Sequence, residues 1–146
     1  MVKETEQMTM TAGHEATDEQ KREIDDWFAR YDALVAAGDL DGMADQAVFP
    51  LNEVTDDAAG LGVVSATSRE RFLAQMREAG VGAGAVDMRS TRTPVFLSPA
   101  LVFVVTDAMF TAGDQTTTMR YGDLLIRTSA GWRFQTMVAG GWSESL

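Results

Sequence analysis

Residues 116–142, TTTMRYGDLLIRTSAGWRFQTMVAGGW, hold two long extended runs joined by Thr128-Ser129-Ala130-Gly131. Runs rich in Thr, Tyr, Ile, Phe, Val and Trp, bounded by Ser and Gly, read as strands, and so short a link returns the second beside the first as an antiparallel pair. One polar residue is not needed by a plain strand. Asp123 stands between Tyr121 and Leu125 on one face. It is either an exposed edge charge or a carboxyl group whose surroundings matter to its chemistry.

This pair extends a run of four expected strands, over 85–96, 101–112, 117–127 and 132–143, with a turn at Leu97-Ser98-Pro99-Ala100 and a two-residue turn at Gly113-Asp114. The second turn sets Ala108 opposite Met119, Thr106 opposite Tyr121 and Val104 opposite Asp123. For the last pair, a four-residue link puts Arg127 opposite Trp132. A three-residue link pairs Leu125 with Gln135 and Asp123 with Met137, and is preferred because it keeps Phe134 with Leu124 and Ile126. One face then carries Val102, Val104, Thr106, Met119, Tyr121, Asp123, Leu125, Gln135, Met137 and Ala139. The other carries Phe103, Val105, Asp107, Arg120, Leu124, Ile126 and Phe134, with an Asp107–Arg120 ion pair expected across it. Both faces are apolar enough to bury. The first takes helices and a pocket, and the second is expected to form a homodimer through Phe103, Val105, Leu124 and Phe134.

Upstream, Thr17-Asp18 opens a helix whose Ile24, Trp27, Phe28, Tyr31, Leu34 and Val35 follow the spacing of a buried stripe. Gly38 ends it and Asp39 caps a second, short helix to about Ala47. Short strands are expected over 49–55, with Pro50 at an edge or strand start, and over 61–66. Thr67 and Glu70 have capping-box spacing before a third helix, which buries Phe72, Leu73 and Met76. Gly80, Gly82 and Gly84 form a flexible link. Residues 1–16 are expected to be a disordered acidic leader and 17–146 one α+β domain, with three helices on one side of a curved antiparallel sheet.

Composition removes whole classes of chemistry. Cysteine is absent and the single histidine, His14, lies in the leader. Disulfides, thiolate nucleophiles, Cys- or His-based metal sites and a Ser-His-Asp triad are thereby excluded. The net charge of −10 argues against a nucleic-acid footprint, and Arg69/Arg71 and Arg89/Arg92 are too sparse to overturn that. No apolar run reaches membrane-spanning length and the leader has no apolar core, so a cytoplasmic location is expected.

Three further features point to a family. The C-terminal run Gly131-Trp132-Arg133-Phe134-Gln135-Thr136-Met137, ending Trp142-Ser143-Glu144, resembles the last strand of bacterial ketosteroid isomerases. Ala29-Arg30-Tyr31, with Tyr31 seven residues before Gly38, is similar to the surroundings of their catalytic tyrosine. Ser68-Arg69-Glu70 followed by the glycines of 80–84 is the third match. Together these cover about residues 20–146. The resemblance implies the cone-shaped nuclear-transport-factor-2-like fold, which also houses SnoaL-type polyketide cyclases and limonene epoxide hydrolases.

In ketosteroid isomerases an aspartate moves a proton while a tyrosine and a protonated aspartic acid stabilise the enolate oxygen. The resemblance therefore implies that Tyr31 and Asp123 are oxyanion donors. It implies an acidic base in Asp56-Asp57-Ala58-Ala59-Gly60, where anchoring on Gly60 selects Asp57 and leaves Asp56 one register off. This loop lacks the family's Asp-Pro pair, and Phe49 and Met76 stand where the family often has tyrosines. The expected pocket walls are Trp27, Phe49, Met76, Val104, Thr106, Met119, Tyr121, Gln135, Met137 and Trp142. The implied function is cofactor-independent acid–base isomerisation, cyclisation or epoxide opening of an apolar, steroid- or polyketide-like substrate. The alternative is a non-catalytic hydrophobic-ligand-binding or dimerisation module on the same fold.

Overall fold

The computed structural model describes residues 13–81 and 87–146. Its elements, in chain order, are α1 (Asp18–Ala37), α2 (Leu40–Asp45), β1 (Ala47–Asp56), β2 (Gly62–Thr67), α3 (Arg69–Glu78), β3 (Asp87–Ser98), β4 (Leu101–Ala112), β5 (Gln115–Thr128) and β6 (Gly131–Val138), followed by a short 3₁₀ turn at Ser143–Ser145. The leader up to residue 12, the glycines at 82 and 84, and the first two residues of the strand expected from 85 lie outside the described residues. No helix among the described residues is long and apolar enough to cross a membrane.

The helices start where the sequence offers oxygen acceptors for otherwise unpaired backbone N–H groups. Thr17 and Gln20 form a reciprocal capping box on α1, and Gly38 ends that helix in the left-handed region at φ 66°. Asp39 Oδ1 accepts from Gly42 N at 2.9 Å and starts α2. On α3 the expected Thr67–Glu70 box is replaced by a cap one residue later, where Ser68 Oγ accepts from Arg71 N. Thr67 is unavailable because its hydroxyl donates to Glu53 Oε1 at 2.6 Å in a buried position.

The strands form one six-stranded curved sheet in the order β2-β1-β6-β5-β4-β3. The expected four-strand antiparallel block is present as β3 to β6, and the β1–β2 hairpin joins it through a parallel β1–β6 pairing. Pro50 therefore sits in an interior strand, not at an edge. It falls in the gap between Ala47 and Asn52 where the β1–β6 ladder shifts, and the β1–β2 pairing begins only at Leu51. A residue without an N–H fits where no ladder needs one.

The β4–β5 register is the one the Gly113-Asp114 turn predicts, with Ala108, Thr106 and Val104 opposite Met119, Tyr121 and Asp123. Asp107 and Arg120 face each other and pair at 2.6 Å. In β5–β6 both candidate registers occur. Arg127 lies opposite Trp132 near the turn, and Asp123 lies opposite Met137 further on, with a bulge between. Gln135 is the extra residue: Phe134 pairs with Leu125 and Thr136 with Leu124. Leu125 therefore does not pair with Gln135.

The bulge turns Phe134 inward, which corrects its expected place on the outer face. Phe134 is buried and packs edge-on to Trp27 and Tyr31 at centroid distances of 4.8 Å. The core lies between α1 and the inner sheet face, with Ile24, Trp27 and Phe28 against Phe96, Val102, Val104, Leu125, Trp132 and Phe134. Trp132 also donates to Glu23 Oε1 at 2.7 Å, tying β6 to α1.

Strand β6 ends at Val138, five residues short of the expected 143, because Gly140-Gly141 breaks it and Gly141 takes φ 85°. The chain then turns over the end of β1. Gly141 N donates to Asp56 Oδ1 at 2.8 Å and Trp142 N donates to Thr55 Oγ1 at 2.9 Å.

Replacing Phe134 with Ala leaves a void at the helix–sheet junction and is expected to cost about 3–5 kcal/mol in chemical denaturation. A loss below about 1 kcal/mol, the cost of trimming an exposed ring, would place Phe134 outside the core.

Candidate active site

The inner face of the sheet does not close onto α1 along its whole length. Towards the C-terminal half of α1 a cavity of about 300 Å³ remains, walled by Phe28, Val35, Met43, Met76, Val81, Met88, Phe110, Met119, Phe134, Met137 and Trp142. Polar groups reach it from Tyr31, Asp32, Arg92, Tyr121 and Asp123. A second cavity of about 220 Å³ shares Tyr31, Met76, Met137 and Trp142 as walls and adds Glu53, Phe72, Gln75 and Leu146. Methionines adapt to irregular apolar ligands better than branched side chains do.

Tyr31 is positioned by aromatic packing. Its ring lies parallel to Trp27 at 5.7 Å, and Phe134 meets it edge-on. Burial pushes its phenol well above the ordinary tyrosine range, and the nearby Asp123 adds to this. The hydroxyl is thus a permanent donor rather than a phenolate.

Asp123 is buried at 5 % exposure on β5, facing the cavity. Burial lifts its carboxyl to about 7, and the Arg92 charge only partly opposes this. Desolvation penalises the charged form, so a large share of the group is still the neutral, donating acid near neutral pH.

Arg92 stands on the cavity face of β3, opposite Thr106. It forks onto both carboxylate oxygens of Asp32 at 2.7 and 3.0 Å and lies 4.2 Å over the Phe28 ring. Burial works against its charge, but the Asp32 bonds outweigh that and hold the guanidinium protonated. Tyr121 is likewise pushed up by burial, with Arg92 pulling the other way.

The fold of this chain recurs in solved structures. A nuclear-transport-factor-2-like protein of unknown function from Pseudomonas putida superposes with a TM-score of 0.68 at 14% identity, covering 86% of this chain and 89% of that one. Aln2 from a Streptomyces species gives 0.64 at 18% identity, covering 90% and 96%. A second protein of unknown function, from Shewanella oneidensis, gives 0.66 at 14%, covering 83% and 98%. This chain has the nuclear-transport-factor-2-like fold. No protein-family model matches the sequence, and no curated protein matches it significantly.

The nuclear-transport-factor-2-like cone brings together most, but not all, of the residues expected at the site. Tyr31, Met76, Met119, Tyr121, Asp123, Met137 and Trp142 line the cavity. Trp27 stands behind Tyr31 as its stacking partner. Phe49 packs on Phe72 at 5.8 Å, outside the lining. Val104 and Thr106 are wholly buried beneath the floor, and Gln135 sits at the bulge, its Oε1 bonded to Thr136. Asp57 is not at the cavity: its Oδ1 accepts from Ala59 N and Leu61 N at 2.9 Å and shapes its own loop. Asp56 is taken up by the C-terminal tail.

Asp32, Arg92, Glu53 and Gln75 are polar residues of the two cavities that sequence reasoning missed. For Arg92 the four-residue turn expected at 97–100 misleads: it sets Arg92 opposite Val105 on the outer face, whereas the irregularity between Phe96 and Ser98 moves it opposite Thr106. For Glu53 there was no signal, because its place depends on the parallel β1–β6 pairing, which no turn announces. An open groove of about 640 Å³ also runs near Arg89, Asp107 and Arg120, but Asp107 and Arg120 there neutralise each other in water and leave no desolvated chemistry.

Asp123 yields a pH signature. Its unfolded value is near 3.8 and its folded value about 7, so between them the folded chain keeps a proton that the unfolded chain releases. The stability contributed at this site is full below the lower value and is lost as pH rises towards the upper one. Wild type should therefore lose stability relative to Asp123→Asn between about pH 4 and 7 in paired denaturation curves. A difference that stays constant with pH would mean that Asp123 titrates normally.

Proposed function

We propose that the cavity is the active site of a cofactor-independent acid–base enzyme acting on an apolar small molecule with a carbonyl or equivalent oxygen. Isomerisation, cyclisation and epoxide opening are the reaction types this arrangement suits. The observation that carries the reading is that two oxygen acids pushed towards their protonated forms by burial, Tyr31 and Asp123, line one apolar cavity. Fixed donors in a dry site stabilise an oxyanion far better than water does, because they need no reorganisation as charge develops. The walls suit a flat hydrocarbon skeleton and supply few other polar contacts. The Arg92–Asp32 pair is best read as a brace that holds β3 to α1 beside the donors, since its charges satisfy each other.

The enolisable bicyclic ketone 2-tetralone and its enol mimic 2-naphthol test this reading. The protein should accelerate deuterium uptake at the ketone α-carbon in D₂O, followed by NMR. Tyr31→Phe and Asp123→Asn should each slow it on the order of 10²–10³-fold. Rates within twofold of wild type in both variants, or naphthol binding without any exchange, would favour the non-catalytic binding module instead.

The outer sheet face supports a second proposal, a homodimer. Phe103, Val105 and Leu124 lie there half-buried, and Val95, Leu101 and Met109 are exposed beside them. Phe103 lies so flat across Gly122 that a Cβ there would come within 2.5 Å of its Cζ, which keeps this surface low and even. A second copy suits it because Asp107 and Arg120 neutralise each other within each chain and leave an even, largely apolar face that a two-fold partner can cover with its own copy. Light scattering should give a dimer mass, and Leu124→Asp should give a monomer; a monomeric wild type at micromolar concentration rejects the proposal.

A further inference from the structure

The second cavity is chemically unlike the first. The first offers hydrogen-bond donors and the Arg92 guanidinium, so it suits an oxygen acceptor. Among the described residues that line the second, Glu53 is the only charged side chain, with Tyr31 and Gln75 as the other polar walls. The rest of the lining is apolar, and three of its walls are the rings of Tyr31, Phe72 and Trp142.

Glu53 is 4 % exposed, and burying a carboxylate without a counter-charge is costly. None of the arginine ion pairs among the described residues reaches it: Arg92 is held by Asp32, Arg69 by Asp41 and Asp45, and Arg127 by Glu23. Its one hydrogen bond among the described residues comes from the Thr67 hydroxyl to Oε1, at 2.6 Å. Because Thr67 gives its proton to Glu53, Ser65 is the donor in the 3.4 Å bond behind it. The carboxylate is thus fixed through one oxygen, and Oε2 is left for a ligand. The rings are fixed as well. Tyr31 stacks on Trp27, Phe72 packs on Phe49, and the Trp142 backbone N–H is tied to Thr55, two residues along β1 from Glu53. A cation over an aromatic face is attracted to the ring, and more strongly where water is excluded.

We propose that the second cavity is a subsite for a protonated amine, with Glu53 as its counter-ion and the rings of Tyr31, Phe72 and Trp142 as its walls. Met137 connects it to the first cavity. This residue lines both, and it is in register with Glu53 on β1 and with Asp123 on β5. Two interstrand steps of roughly 4.8 Å put the backbones of those two acids about 10 Å apart. One ligand can then place an oxygen acceptor at Tyr31 and Asp123 and an ammonium at Glu53, several bonds away along an apolar skeleton. The net charge of −10 favours the approach of such a cation. The amine subsite concerns binding alone; that the oxygen end of the ligand reacts rests on the acid–base reading above.

Two probes of one shape separate charge from fit: 2-aminotetralin, an ammonium at neutral pH, and 2-tetralol, its uncharged alcohol counterpart. Their dissociation constants are measured by calorimetry on wild type, Glu53→Gln and Trp142→Leu. Wild type should bind the amine about tenfold or more tighter than the alcohol. Glu53→Gln removes the counter-ion and keeps the shape, so it should bring the two affinities within about threefold of each other, chiefly by weakening the amine. Trp142→Leu keeps the counter-ion and should weaken the amine about two- to fivefold more than the alcohol. Equal affinities in wild type, or no binding of either probe at millimolar concentration, overturn the subsite. A preference for the amine that survives in Glu53→Gln overturns it too, since the cation is then held elsewhere. The wild-type comparison depends on no variant. None of these measurements needs turnover, so failure of the exchange test on 2-tetralone overturns the enzyme reading and leaves the amine subsite standing or falling on its own result.

Discussion

The β-bulge at Gln135 governs both the packing and the site. In an unbroken strand, residues three apart face opposite sides of the sheet. Phe134 and Met137 are three apart and both face inward, which one inserted residue permits. Below the bulge, Phe134 builds the aromatic cluster with Trp27, Phe28 and Tyr31, while Trp132 packs on Phe96 and bonds to Glu23 of α1. Above it, Met137 separates Asp123 from Glu53. One residue thus serves the core at one end of β6 and the cavity at the other.

Tyr31 stands where these two regions meet. Its ring belongs to the core cluster, while its position lines both cavities. The packing that keeps water from Phe134 also desolvates the phenol, and the same exclusion lifts the Asp123 carboxyl. Arg92 moderates this without reversing it, since most of its charge is answered by Asp32. With the cation shielded in this way burial remains the larger influence on Asp123; an unpaired guanidinium this close would favour the carboxylate.

Much of this was legible in the chain itself. The Thr17 cap and the stripe of Ile24, Trp27, Phe28 and Tyr31 mark α1, because a helix buries residues at 3.6-residue spacing. Gly113-Asp114 determines the β4–β5 register, and through it the inward face of Asp123 and the Asp107–Arg120 pair. These are local rules, and the turn and helix periodicities they rest on act over a few residues. The Asp56-Asp57 loop was less legible. Asp57 has a plausible neighbourhood in sequence, yet in the fold its side chain closes the turn that connects β1 to β2.

The sequence by itself determined the elements, the long antiparallel strands, and the membership of Tyr31 and Asp123 in one inner surface. Each follows from periodicity or from a short turn whose geometry its own residues dictate. Only the tertiary structure decided that β1 pairs in parallel with β6, that Gln135 bulges, and that Glu53 faces the cavity. Parallel pairing joins strands by a long connection, here residues 57–130, about half of the chain, so no local signal marks its register. A bulge reconciles two locally acceptable registers, each right for one end of the strand. That choice is made by how Phe134 packs against α1, a contact between residues about a hundred positions apart along the chain.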